Sequence, residues 1–347
     1  MNWRRLSRIL LFLPLILVGL GFLGGWLFWH YMARETEAAL DLWQQQEASL
    51  GRRWTCPDRQ LSGFPFEIIV ACTKPRFQGE IEGRVVEGNL AGFTASAALQ
   101  APNRIFAHLQ GPFAAHTRDE TFDITLNWDE LGLELNGDNG IFDHWRLDAR
   151  KLDLSGRSSD FGPFAAEVDD IKASLESLRN RSDFAYDFHL NAQGVRLAAL
   201  DAFFDTTVPA DLGADGSLTQ LRFVPGGLLL DQIDAWRQAG GSITFTNAWL
   251  TKGQVHFGLE GNLALDSQHR PTGRMQARFS GLDDLLRSYG VNPSLVQAGS
   301  LLNSLFGGNR GSTKQESDSA LRLPMRISEG WLYIGPVRTP LSWPPLY

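Results

Sequence analysis

The sequence predicts a mainly β protein: one or more large curved antiparallel sheets with a few short helices, preceded by one N-terminal transmembrane helix and a helical stalk. Three observations predict it. An uncharged apolar run lies near the N-terminus, apolar and polar residues alternate with period two through most of the remaining chain, and segments of helical periodicity are few.

Residues 9–29, ILLFLPLILVGLGFLGGWLFW, form an uncharged run of 21 residues. At about 1.5 Å per residue this matches the roughly 30 Å hydrocarbon core of a bilayer. Trp3, Trp26 and Trp29 sit where aromatic belts meet the headgroups, and Arg4, Arg5 and Arg8 give residues 1–8 the character of a cytoplasmic flank. Arg4 and Arg5 fit this flank better than a twin-arginine export signal. A cleaved signal peptide is the rival reading, but its apolar region is about 7–15 residues and ends at small residues, whereas this run continues through Trp26, Phe28 and Trp29. The expectation is an uncleaved signal anchor with the rest of the chain outside the cytoplasm. Gly19, Gly21 and Gly24 spell a dinucleotide-loop pattern, but no strand precedes it and lipid surrounds it. Gly21 and Gly25 permit close helix contact without establishing it.

Residues 30–51 are expected to be a helical stalk: 33–50 hold good helix formers without Pro or Gly, and Gly51 is the stop. The only two cysteines of the 347 residues follow, in TCPDRQLSGFPFEIIVACTKP (55–75). Outside the cytoplasm a disulfide between Cys56 and Cys72 is the simplest reading, because a structural zinc site needs four ligands and no His or Cys cluster completes one. Phe66, Ile68, Val70 and Cys72 share one strand face, and a hairpin about the Gly-Phe-Pro turn would set Cys56 across from Cys72. Two buried, unpaired thiols remain the alternative.

Beyond this hairpin the alternation continues in TFDITLNW (121–128), in DFAYDFHLN (183–191), from Ile243 and Phe245, through Val255, Phe257, Leu259, Leu263 and Leu265, and through Met275, Ala277 and Phe279 to Leu321, Leu323, Met325 and Ile327. Short helices are expected about Leu197, Leu200 and Phe204, about Leu282, Leu285, Leu286 and Tyr289 with Ser280 and Asp283 as caps, and over 295–306. Residues 307–320 (GGNRGSTKQESDSA) are expected to be a mobile loop. A loose boundary near Gly194 divides the exported part into a first β-rich half, 52–194, and a second, 195–347.

The order of a basic start, one span, a stalk bearing Trp and Glu, and then GRRWTCPDRQLSGFPFEIIVAC resembles a bacterial family, domain of unknown function 2125. Cys56, Gly63, Pro65, Phe66 and Cys72 carry the most specific part; LDSQHRPTGRMQARFSGLDDLL (265–286) and LRLPMRISEGWLYIGPVRTPLSWPP (321–345) extend it over essentially the whole chain. The resemblance implies topology and compartment and supplies no catalytic residues. Strands punctuated by Trp145, Trp236, Trp249 and Trp331, with a polar turn at 266–273, also look in pattern like the AsmA-like envelope proteins, which resemblance implies long curved sheets and lipid traffic or outer-membrane assembly.

Chemistry is sparse. The seven histidines are dispersed without a metal-binding or nucleophile-elbow motif, and His189 and His256 take the outward parity of their strands. Asp169 and Asp170, like Asp283 and Asp284, are neighbours whose side chains diverge. A net charge of −7 argues against nucleic acid. No enzyme activity, cofactor or metal is expected. The expected function is that of a single-pass bacterial inner-membrane protein, anchored in the lipid bilayer through residues 9–29, whose periplasmic domain binds an apolar ligand such as lipid or an envelope partner. The alternatives are scaffolding through protein contacts and, more remotely, an envelope hydrolase.

Overall fold

A computed structural model describes residues 3–81, 83–138, 141–160, 162–222, 229–281 and 321–347. Its first element, α1 (Trp3–Ser49), is one continuous helix that carries Pro14 within it. By length and composition it can cross a membrane, and none of its apolar window is buried. Gly51, in the left-handed region at φ 79°, turns the chain out of the helix.

The rest is one antiparallel sheet of 18 strands. It opens with β1 (Arg53–Thr55), β2 (Gln60–Ser62), β3 (Glu67–Thr73), β4 (Arg76–Ile81), β5 (Arg84–Ala98) and β6 (Ala101–Thr117). β7 (Phe122–Asn127), β8 (Glu130–Asp138), β9 (Ile141–Ser158), β10 (Gly162–Ser177) and β11 (Tyr186–Leu197) follow. Next come α2 (Ala198–Phe204), β12 (Ala210–Leu218), α3 (Leu229–Gln238), β13 (Ile243–Lys252), β14 (Val255–Leu265) and β15 (Pro271–Ser280). The sheet ends with β16 (Leu321–Ser328), β17 (Trp331–Ile334) and β18 (Val337–Ser342). From β9 onward each strand pairs with the next in sequence. Earlier, β3 and β4 share the length of β5, and β7 and β8 lie end to end between β6 and β9.

The period-two signal is the cause of this architecture: side chains on successive residues face opposite sides, so only a sheet gathers the apolar set on one side. The expected strands at 121–128, 183–191, 243–245, 255–265, 275–279 and 321–327 coincide with β7, β11, β13, β14, β15 and β16. Leu197, Leu200 and Phe204 mark α2. The helices expected about Leu282–Tyr289 and over 295–306, and the loop expected over 307–320, lie outside the described residues. Gly194 lies within β11, at φ 67° in a bulge between Ala192 and Val195, and the pairing of β11 with β12 resumes beyond it.

The cysteines are joined, Cys56 to Cys72, with Cα atoms 5.9 Å apart. The route differs from a cross-strand pair in a simple hairpin. Leu61 faces Val70 in the β2–β3 ladder, a register that leaves Cys56 beyond the ladder's end, and Thr55 faces Arg76 of β4 instead. Pro57 has no N–H to donate, so the strand breaks there; the disulfide fastens the turn between β1 and β2 to the buried side of β3, where Cys72 is 2 % exposed. Closing a loop of this size is worth about 3 kcal/mol. A disulfide together with an apolar N-terminal helix, as signal or anchor, marks an extracytoplasmic protein.

The stalk packs one side on the start of the sheet. Arg59 reaches Asp41 at 2.7 Å, the Trp43 and Trp54 rings lie 5.9 Å apart, and Trp54 meets Phe77 at 4.6 Å. Glu47, 6 % exposed, accepts hydrogen bonds from Arg52 Nε and Nη2 at 2.7 Å and from Trp54 Nε1 at 3.2 Å. The Arg52 bonds hold its carboxyl below the ordinary glutamate value against the opposing effect of burial. A lowered value means the folded state gains stability above the ordinary glutamate range and loses it as pH falls through the lowered value. Glu47→Gln is therefore expected to lower the denaturant midpoint of the full chain at neutral pH, with the difference from wild type shrinking as the medium is acidified below the lowered value.

Candidate functional site

The strand registers line up the apolar positions across the sheet. One row runs Val70, Ala95, Ala107, Leu133, Leu147, Ala173, Leu190, Ala214, Ala248, Leu259, Ala277 and Leu323, from β3 to β16. The row on one side of it holds Ile68, Ala97, Ile105, Leu135, Trp145, Leu175, Phe188, Gly216, Phe245, Gly261, Met275 and Met325. The row on the other side runs from Cys72 through Phe93, Leu109, Leu131, Ala149, Ile171, Ala192, Leu212, Leu250 and Phe257 to Phe279. Directly paired residues point to the same face, so these rows form one apolar surface that crosses the strands without a charged side chain.

The opposite face is polar. His189 pairs with Asp215 across β11 and β12, Arg278 with Glu260 at 2.6 Å, Arg104 with Glu134 at 2.6 Å and Thr251 with His256 at 3.1 Å. Asp169 binds Arg196 at 2.9 Å, which holds its carboxyl below the ordinary value, and Asp170 lies 3.5 Å from Lys172. Each sequence-selected histidine and carboxylate in the described residues thus has a cross-strand or neighbouring partner on the outer side.

The degree of burial distinguishes this apolar face from an ordinary core. In the middle row Val70 and Ala277 are buried, and the ten residues between them and at Leu323 are half-buried. Protein interiors pack to crystal-like density, so a sheet filled by its own side chains would bury such a row. The margins of the sheet are open as well: β2 and β18 consist mostly of exposed residues.

At one end the apolar face runs into a cavity of 440 Å³. Leu218, Ile243 and Leu263, paired in register one step beyond Gly216, Phe245 and Gly261, form its sheet wall. Ile233 and Trp236 of α3 and Leu346 of the C-terminal segment complete much of the remainder. α3 is held against the cavity by polar contacts of its own side chains. Trp236 Nε1 donates to Thr219 O at 2.7 Å, Arg237 binds Asp234 at 2.7 Å, and Tyr347 Oη reaches Asp234 at 3.3 Å while its ring stacks on His269 at 4.3 Å. Arg237 first, then Gln238, holds the Asp234 carboxyl below its ordinary value. The sequence reading missed α3, although Leu229, Ile233 and Trp236 recur at helical spacing with Asp231 in the first turn and Arg237 in the last.

Strand direction places this cavity. β3 starts from the Gly63–Phe66 turn, and antiparallel alternation puts the ends of β12 and β14 and the start of β13 at that same end of the sheet. The other end is capped by α2, where Lys252 Nζ donates to Asp201 Oδ1 at 2.6 Å and to Val208 O at 2.7 Å. Among the described residues no three His, Cys, Asp or Glu side chains gather as a metal-holding group.

Residues 29–341 match the family described as "Uncharacterized protein conserved in bacteria (DUF2125)". No curated protein and no solved structure matches the chain.

Proposed function

The chain belongs to this bacterial family, and from that premise we propose that it is a membrane-anchored protein of the cell envelope whose apolar sheet face binds the acyl chains of lipid. In this reading residues 9–29 are retained as a single inner-membrane span, residues 1–8 stay in the cytoplasm, and the sheet stands in the periplasm. The protein acts by binding and not by catalysis.

The observation that carries the proposal is the continuous, half-buried apolar face that leads to the cavity beneath α3. Water in contact with such a face costs about 25 cal/mol per Å² of apolar surface, which an acyl chain laid along it would recover. Large exposed apolar surfaces on soluble domains mark sites of interaction. Lipid suits this one because the face is long and unbroken by polar anchors, whereas a small polar ligand would need convergent donors and acceptors. The cavity opens at the same strand end of the sheet as the Gly63–Phe66 turn, which packs on the apolar helix, and the apolar face joins the two.

Photo-crosslinking in cells tests this. With a photoreactive amino acid at Leu147, on the apolar face, the full chain is expected to form lipid adducts; at the next residue, Asp148, on the polar face, it is not. Protein adducts at both positions and lipid at neither would favour scaffolding instead.

A further inference from the structure

We infer that the Gly63–Phe66 turn is a second membrane contact, a small apolar wedge that enters the leaflet beside α1; the inference rests on the retained-anchor reading proposed above. The Phe64 ring packs edge-on against Phe22 at 5.5 Å and against Trp29 at 6.0 Å. Phe22 lies inside the uncharged run and precedes Trp29 by about two turns, roughly 10 Å along the helix axis. A ring that touches both therefore sits at or below the level of Trp29, where the span meets the headgroups. Trp29 Nε1 donates to Glu67 O at 2.8 Å and sets the height of the turn on the helix.

The turn is built for a medium poor in water. Phe66, beside Phe64, is 68 % exposed, a large apolar surface with nothing from the sheet to cover it. Several of its backbone groups are paired within the protein: Phe66 N and Glu67 N donate to Gly63 O at 3.2 and 3.1 Å, Leu99 N donates to Phe66 O at 2.9 Å, and Pro65 has no N–H to leave unpaired. Gly63 holds φ at 102°, and a Cβ there would stand 2.6 Å from Glu67 O, so the compact turn requires glycine. Phe64, Pro65 and Phe66 carry no charge, and Glu67 begins the strand that climbs away from the helix's apolar part.

The test uses the full chain in phosphatidylcholine–phosphatidylglycerol vesicles with brominated acyl chains. Both native cysteines are disulfide-bonded, so a cysteine introduced by Phe66→Cys is the only free thiol for an environment-sensitive fluorophore. Lys151→Cys, on the exposed outer side of β9, is the aqueous control, and Leu20→Cys reports the span. Bromolipid is expected to quench the residue-66 label at least twofold more than the residue-151 label. Gln100→Cys, at an exposed polar site next to Leu99, gives a second reading with shallower but measurable quenching, should Phe66→Cys disturb the turn. Labels at 66 and 100 no more quenched than at 151, with the label at 20 strongly quenched, would overturn the wedge and leave the anchor standing. An unquenched label at 20 as well would overturn both.

Discussion

Asp201→Ala is expected to lower the opening free energy at the capped end of the sheet by about 3 kcal/mol, whereas Lys252→Met should cost less than about 1 kcal/mol. The two substitutions break the same 2.6 Å ion pair, yet they leave different remnants. The Lys252 side chain is 0 % exposed and Asp201 is 30 % exposed. Without Asp201 the ammonium stays enclosed with Val208 O as its remaining acceptor; without Lys252 the carboxylate turns to water while methionine fills the space of the lysine stem. The value for Asp201→Ala is set at the low end of the range for broken buried pairs because water already reaches the aspartate. Hydrogen exchange at the amides of β12 and β13 reads the effect locally, and equal losses for both variants would contradict the asymmetry.

Leu147→Asp is expected to lower lipid occupancy at least tenfold while the unfolding transition remains cooperative. Leu147 lies near the middle of the apolar face, between Leu133 and Ala173 in register, and is only half-buried, so a carboxylate there can keep water while the site is empty. An acyl chain laid over it would strip that water without supplying a hydrogen bond, a penalty above the roughly 1.4 kcal/mol that corresponds to tenfold. Ala239→Trp, which fills the cavity from the exposed end of α3, should act in the same direction at the other end of the path. Uptake of a fluorescent fatty acid by the full-length variants, compared with wild type, gives the ratio.

Much of the sheet was legible because strand alternation is a local property. Phe188 and Leu190, or Phe257 and Leu259, announce an inward face within a few residues. The aligned rows were not legible, since Leu147 meets Ala173 and Leu133 only through registers set by turns and bulges such as the one at Gly194. The cysteine pair was foreseen from compartment chemistry, yet its route was not: β1, just before Cys56, pairs with β4, and only after Pro57 does the chain join β3 through β2. α3 was passed over because its ten residues fall among loop-like glycines and its apolar stripe closes a cavity that no single segment contains. Parity placed His189 and His256 outward, and their partners Asp215 and Thr251 lie directly across the ladder.

Whether the apolar face carries lipid decides between a binding protein and a scaffold. Mass spectrometry of organic extracts from the full chain, purified alongside Leu147→Asp in the same mild detergent, tests it most directly, because lipid around the helix is common to both. Lipid bound to wild type in excess of the variant, near or above one molecule per protein, is the predicted result. Equal lipid content in the two proteins would contradict it and leave the sheet a scaffold.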